Sequence, residues 1–174
     1  YGQILPRTII RTPVLGCVNL HASLLPRHRG AAPIQAAIRD GDAETGITLI
    51  HVVPKLDAGD MILKKALAIR RDETGGSLHD RLADLGPGVI AEGLGLFRNG
   101  SPPAEPQDDS LVTHTGKLGR EDGEIDWKAD AAVLERLVRA YDPWPGTTTF
   151  LDTGDGPKQL KIHPYVTPLE APRT

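Results

Sequence analysis

Runs with a two-residue period alternate with runs of helical period along this chain, and that alternation points to an α/β fold. The segment Val14-Leu15-Gly16-Cys17-Val18-Asn19-Leu20-His21 alternates and reads as a strand over 14–21. Strand geometry puts Cys17, Asn19 and His21 on one face, with Val18 and Leu20 on the other. Two polar side chains therefore line up where an ordinary strand would bury apolar ones. After a loop over 22–32, Pro33 is well placed as the first residue of a helix that runs through 34–39 and is ended by Gly41. Strands are expected at 47–53 and 61–69, joined as a long hairpin with Asp57 at its tip.

Ser77, with Asp80 three residues on, resembles a capping box. Leu78, Leu82, Leu85 and Val89 then form a helical stripe. Gly86-Pro87-Gly88 is expected to kink or break that helix, its second half running to Phe97. The stretch 101–126 opens with Ser101-Pro102-Pro103-Ala104-Glu105-Pro106 and reads as a linker. Asp130 is expected to cap a helix bearing Val133, Leu134, Leu137, Val138 and Tyr141, stopped by Asp142-Pro143-Trp144-Pro145-Gly146. Two strands, 147–151 and 159–166, follow.

Composition narrows the function classes. No apolar run approaches the ~18 residues of a membrane-spanning helix, and mean hydropathy is -0.25. A net charge of -3 with 39% hydrophobic residues is compatible with collapse into a core. With 4% aromatic residues that core must be aliphatic. The 19 glycines and 15 prolines in 174 residues make a turn-rich chain. The single cysteine, Cys17, excludes an internal disulfide framework and a cysteine-only zinc site. It suits a reducing compartment, and a cytoplasmic location is expected. With 20 basic against 23 acidic residues, bulk charge gives no reason to expect nucleic-acid binding, although a local patch stays open. The chain opens Tyr1-Gly2-Gln3-Ile4-Leu5-Pro6 without Met and reads like the middle of a fold, so an internal fragment is expected.

Asn19 and His21 end a strand at i and i+2, and the carboxyl ends of strands are where open α/β sheets bind ligands. A loop bearing Asp57 could return over that edge. The amide can donate to an oxygen gaining negative charge. The imidazole can hold or move a proton near neutral pH, and the carboxylate can orient it or take the proton on. The same residues equally suit hydrogen-bonded structure, and an Asp in Leu56-Asp57-Ala58-Gly59-Asp60 is a good turn former. Cys17 is expected to fill core space, His51 to be a satisfied sheet histidine, and Trp127 and Trp144 to be packing anchors. Lys117, Arg120 and Lys128 could touch an RNA, among acidic neighbours at Glu121, Asp122, Glu124 and Asp126.

The run Asn19-Leu20-His21-Ala22-Ser23-Leu24-Leu25-Pro26-Arg27-His28-Arg29-Gly30-Ala31-Ala32-Pro33-Ile34-Gln35 is followed by Gly41-Asp42-Ala43-Glu44-Thr45-Gly46-Ile47-Thr48 and by Leu56-Asp57-Ala58-Gly59-Asp60-Met61. Together these resemble the folate-dependent formyltransferases, most nearly the members that act on methionyl initiator tRNA. Ile125-Asp126-Trp127 and Asp142-Pro143-Trp144-Pro145-Gly146 extend the resemblance through nearly the whole chain. It implies that Asn19, His21 and Asp57 are catalytic and that Ser23, Leu24, Leu25 and Pro26 form the folate-contacting loop. The implied reaction moves a formyl group from 10-formyltetrahydrofolate, a co-substrate, to the α-amine of methionyl initiator tRNA, without a metal. Arg27 and Arg29 could meet the anionic tail of the folate or a tRNA phosphate, or be structural. Lys55 stands where the family commonly has Gly, and Gly86-Pro87-Gly88 interrupts a helix that usually runs on.

The resemblance further implies the C-terminal part of a Rossmann-like formyltransferase domain over 1–100, a linker over 101–126, and the start of an OB-like, tRNA-binding β-barrel over 127–174. The complete protein is expected to be a monomer, with no membrane association. The piece alone is expected to fold poorly and to be inactive, because central strands would be missing. An amino sugar-nucleotide N-formyltransferase shares the triad and the loop and is the nearest rival. A formyl-folate hydrolase or dehydrogenase module and an inactive truncated piece are the others.

Overall fold

The computed structural model describes residues 5–100 and 102–165. A short helix, α1 (Arg7–Arg11), precedes β1 (Val18–His21), β2 (Arg29–Gly30) and α2 (Pro33–Arg39). Next come the hairpin strands β3 (Glu44–His51) and β4 (Met61–Ala68), then the long helix α3 (Gly75–Arg98). Beyond residue 102 lie β5 (His114–Thr115), α4 (Ala131–Ala140), β6 (Thr147–Asp152) and β7 (Pro157–Ile162).

β3 is the centre of a three-stranded antiparallel sheet ordered β1-β3-β4. Its two faces serve different neighbours, as the strand period requires. Ile47 and Leu49 face α3 and join Leu78, Leu82 and Val89 of that helix in the main core, with Ile38, Ile62, Ala140 and Tyr141. Ile50, on the opposite face, packs with Leu25 and Met61 beneath the loop that follows β1. The cores are aliphatic except for Tyr141, with Phe97 packed against the main one, in keeping with the low aromatic content.

Helix α3 departs from expectation. It is one helix of 24 residues that continues through Pro87. A proline in a helix interior costs about 3 kcal/mol, from its missing N–H and the clash of its ring with the preceding turn. Burial of Leu78 and Leu82 before it and Val89 after it offsets that, at roughly 1.5–3 kcal/mol per side chain. Small residues let the helix lie close to the sheet: a Cβ on Gly86 would touch Leu20, and one on Gly93 would collide with Leu49. The N-cap is Thr74, which exchanges bonds with Ser77 in a reciprocal box; Ser77 is therefore its third residue and not its cap.

Other expectations need correction. The first strand covers 18–21 only, because Pro13 and Gly16, at φ 78, close a turn just before it. Cys17 is half-buried beside the carbonyls of Ile9 and Ile10 and lies outside both apolar clusters. Trp127 and Trp144 are 64% and 50% exposed and anchor no core. The indole N–H of Trp127 donates to Thr149, and Trp144 lies near the Arg120 guanidinium. The last strand begins at Pro157 and ends at Ile162, paired with β6; Val166, the expected end, lies outside the described residues. Of the proline-rich run, Ser101 also lies outside them.

The stretch after Pro102 is closely hydrogen-bonded to the sheet and the loops over it. Glu105 pairs with Met61 at the open edge of β4, and β5 runs parallel to β2. α4 packs on α2, and the Arg139 guanidinium donates to the Glu73 carbonyl below the start of α3. Among the described residues no helix is long and apolar enough to cross a membrane.

Candidate active site

β1 carries Asn19 and His21 on the face away from α3, where they stand opposite Ile50 and Thr48 of β3. His21 is buried and Asn19 half-buried. His21 Nε2 lies 2.9 Å from the His28 carbonyl, which can only accept, so this nitrogen carries the hydrogen. Nδ1 is left facing Asp57, whose Oδ2 is 3.6 Å away. The same Oδ2 accepts the Gly30 backbone N–H at 2.9 Å. Thus the expected return of the Asp57 loop over the end of β1 takes place, and it brings imidazole and carboxylate together.

The loop 22–30 is built from the inside. Thr48 donates to the Ser23 carbonyl at 2.6 Å and accepts from the Leu25 N–H at 3.1 Å. Ser23 donates to the Arg27 carbonyl at 2.7 Å. Ser23 and Leu25 therefore point into the protein, while Leu24 and Pro26 stay half-buried at its surface. Gly30 adopts φ 119, and a Cβ there would run into the Thr115 carbonyl, so only glycine brings β2 this close to β5.

The two arginines separate. Arg29 is almost wholly buried and donates to Gln107 and Asp109, which makes it structural. Arg27 is exposed and pairs with Asp42 at 2.8 Å. Asp42 also accepts from His28 Nε2 at 2.7 Å. The Lys55 ammonium, and then the Arg29 guanidinium, hold the Asp109 carboxyl below the usual carboxylate range. Lys117, Arg120 and Lys128 are all exposed, as are the four acidic neighbours. His51 meets the ring of Phe97 edge-on.

Sequence reasoning missed Gln107 and Thr113. Gln107 donates to the carbonyls of Asp57 and Gly59, and Thr113 accepts the His28 N–H. No spacing rule points to them, because they stand 50 and 85 residues from Asp57 and His28. A cavity of about 200 Å³ lies beside Leu24, Arg27, His28, Asp42, Glu44 and Thr45. It contains none of the three expected catalytic residues and is smaller than a typical small-molecule site. Among the described residues no group of three His, Cys, Asp or Glu side chains is arranged to hold a metal ion.

A family model described as formyl transferase matches residues 1–94, and one described as formyl transferase, C-terminal domain, matches residues 117–167. A methionyl-tRNA formyltransferase of Marinobacter nauticus is 49% identical over 163 residues, covering 94% of this chain and 51% of the relative. One from Akkermansia muciniphila is 48% identical over 165 residues, covering 94% and 52%. The chain thus spans about half the length of the curated relatives it matches. A solved 4-N formyltransferase from Francisella tularensis shares the fold with TM-score 0.76 at 16% identity, over 93% of this chain and 67% of that one. The architecture is accordingly α/β and Rossmann-like in its first part. With one family model covering more than half of its residues and a second covering most of the remainder, the chain belongs to the formyl transferase family.

Proposed function

We propose that the protein transfers a formyl group from 10-formyltetrahydrofolate to the α-amine of methionyl initiator tRNA, and so serves translation initiation. Near-half identity to proteins named methionyl-tRNA formyltransferase, over more than nine-tenths of this chain, supports that acceptor. The observation that carries the chemistry is the His21–Asp57 pair at the end of β1, beside Asn19.

The amine attacks the formyl carbon, a C–N bond forms, and the carbonyl oxygen becomes an oxyanion. Asn19 donates its amide N–H to that oxygen. His21 has Nε2 committed to the His28 carbonyl, so Nδ1 takes the proton that the amine loses, and Asp57 balances the imidazolium. The bond from the formyl carbon to the folate nitrogen then breaks. His21 returns its proton to that nitrogen, leaving formylated tRNA and tetrahydrofolate. Leu24 and Pro26, half-buried on a loop made rigid by Ser23, Leu25 and Thr48, offer the apolar surface for the folate. In this reading 1–100 is the catalytic unit and 101–126 the connection. Residues 127–174, with the β6–β7 hairpin, begin an OB-like domain for tRNA. The protein acts as a cytoplasmic monomer.

The test gives the purified full-length protein, of which this chain is about half by the length of its relatives, 10-formyltetrahydrofolate with either charged methionyl initiator tRNA or an amino sugar-nucleotide. Formylation of the tRNA, lost in folded Asn19→Ala and His21→Ala variants, is the expected result. Formylation of the sugar-nucleotide alone would overturn the acceptor, and no transfer to either would overturn the reaction.

A further inference from the structure

We propose that Gln107 is a positioning residue for Asp57, acting through the backbone of the loop that carries the carboxylate. The inference rests on the reading above, in which Asp57 works with His21. Asp57 sits at φ 48, in the left-handed region where a residue other than glycine depends on its surroundings to stay. Gln107 supplies the restraint. Its Nε2 donates to the carbonyls of Asp57 and Gly59, each at 2.8 Å, so both amide hydrogens are used on this one loop.

The amide itself is held. Its Oε1 accepts from Arg29 Nε at 2.9 Å, and a guanidinium can only donate, which determines which end of the amide faces the loop. Arg29 is 1% exposed and so cannot swing away, and its Nη2 is 3.2 Å from Asp109. On its far side the loop is stopped by the sheet, because Gly59 lies so close to the His51 carbonyl that a Cβ could not fit. Restrained from both sides, the loop delivers Asp57 Oδ2 to the Gly30 N–H and to His21 Nδ1. Gln107 touches no reacting atom in this arrangement.

Glutamate at position 107 keeps an acceptor for Arg29 but turns two donors into lone pairs facing two carbonyls. The experiment therefore compares the full protein, Gln107→Glu, Asp57→Asn and the double variant in steady-state formylation of charged initiator tRNA. Asparagine tolerates the left-handed conformation, so Asp57→Asn removes the charge and leaves the backbone. The expected result is a kcat lowered on the order of 10- to 100-fold in Gln107→Glu, as for a misplaced catalytic group. KM for both substrates should stay within about twofold. In the Asp57→Asn background the same change should cost nothing further, since no carboxylate is left to position.

Wild-type kcat in Gln107→Glu beside an impaired Asp57→Asn would overturn the proposal alone. So would a loss that multiplies in the double variant, the mark of a merely structural role. Full activity in Asp57→Asn would overturn the catalytic reading and this inference with it. If Gln107→Glu does not fold by circular dichroism, Gln107→Met, similar in length and without the repulsion, carries the same comparison.

Discussion

At the scale of single residues, the site is a set of polar atoms with few unassigned valences. His21 illustrates it: one ring nitrogen is spent on the His28 carbonyl, which leaves the other to face Asp57. Removal of the amide in Asn19→Ala should lower kcat on the order of 100-fold or more without changing the melting temperature much. His21→Ala should lower kcat on the order of 100-fold or more and also lower the melting temperature, because the buried His28 carbonyl loses its donor. Steady-state kinetics beside a thermal melt check it. Thr48 has a different task. Its hydroxyl bridges the Ser23 carbonyl and the Leu25 N–H in a fully buried setting. Thr48→Val should cost about 1–3 kcal/mol in urea denaturation, because both loop groups would be left buried and unpaired.

At the scale of elements, α3 shows how one residue type does two jobs. Gly93 meets Leu49 of the sheet, whereas an added Cβ on Gly88 has open space around it. Gly88→Ala should therefore stabilise the protein by about 0.5–1 kcal/mol, through helix propensity alone. Gly93→Ala should destabilise it by about 1–3 kcal/mol, through overpacking. Denaturant midpoints of the two variants test the contrast. The same helix marks where sequence reading succeeds and fails. Its stripe of Leu78, Leu82, Leu85 and Val89 was legible, since helical period is a local property. Its continuity through Pro87 was not, because the opposing energy comes from Ile47, Leu49 and Ile62 on other elements. The start of β1 was misplaced for the converse reason: alternation persisted into a stretch that Pro13 and Gly16 turn away from the sheet.

At the scale of the whole molecule, the segment from Pro102 to Thr115 closes over the site. Its backbone receives the N–H groups of Arg29, Ala31 and Met61, and its side chains hold the Asp57 loop and His28. These contacts should open together. Gly30→Ala, which pushes a Cβ into the Thr115 carbonyl from a positive-φ position, is expected to speed amide exchange at Arg29, Ala31 and Thr115 together. Exchange in the α3 amides should change little, because that helix is packed by a separate cluster. Hydrogen-exchange mass spectrometry distinguishes this from a general loss of stability.

Local pattern was sufficient to determine the types of most elements, the shared face of Asn19 and His21, and the place of Asp57 in a hairpin loop. Each of these depends on residues a few positions apart, where strand and helix periods act. Tertiary structure alone decided that Asp57 reaches His21, that Arg29 is spent inside, that the two tryptophans stay exposed, and that Gln107 holds the loop. Those outcomes join residues dozens of positions apart, and packing selects them by satisfying buried donors and acceptors, a requirement that has no period along the chain.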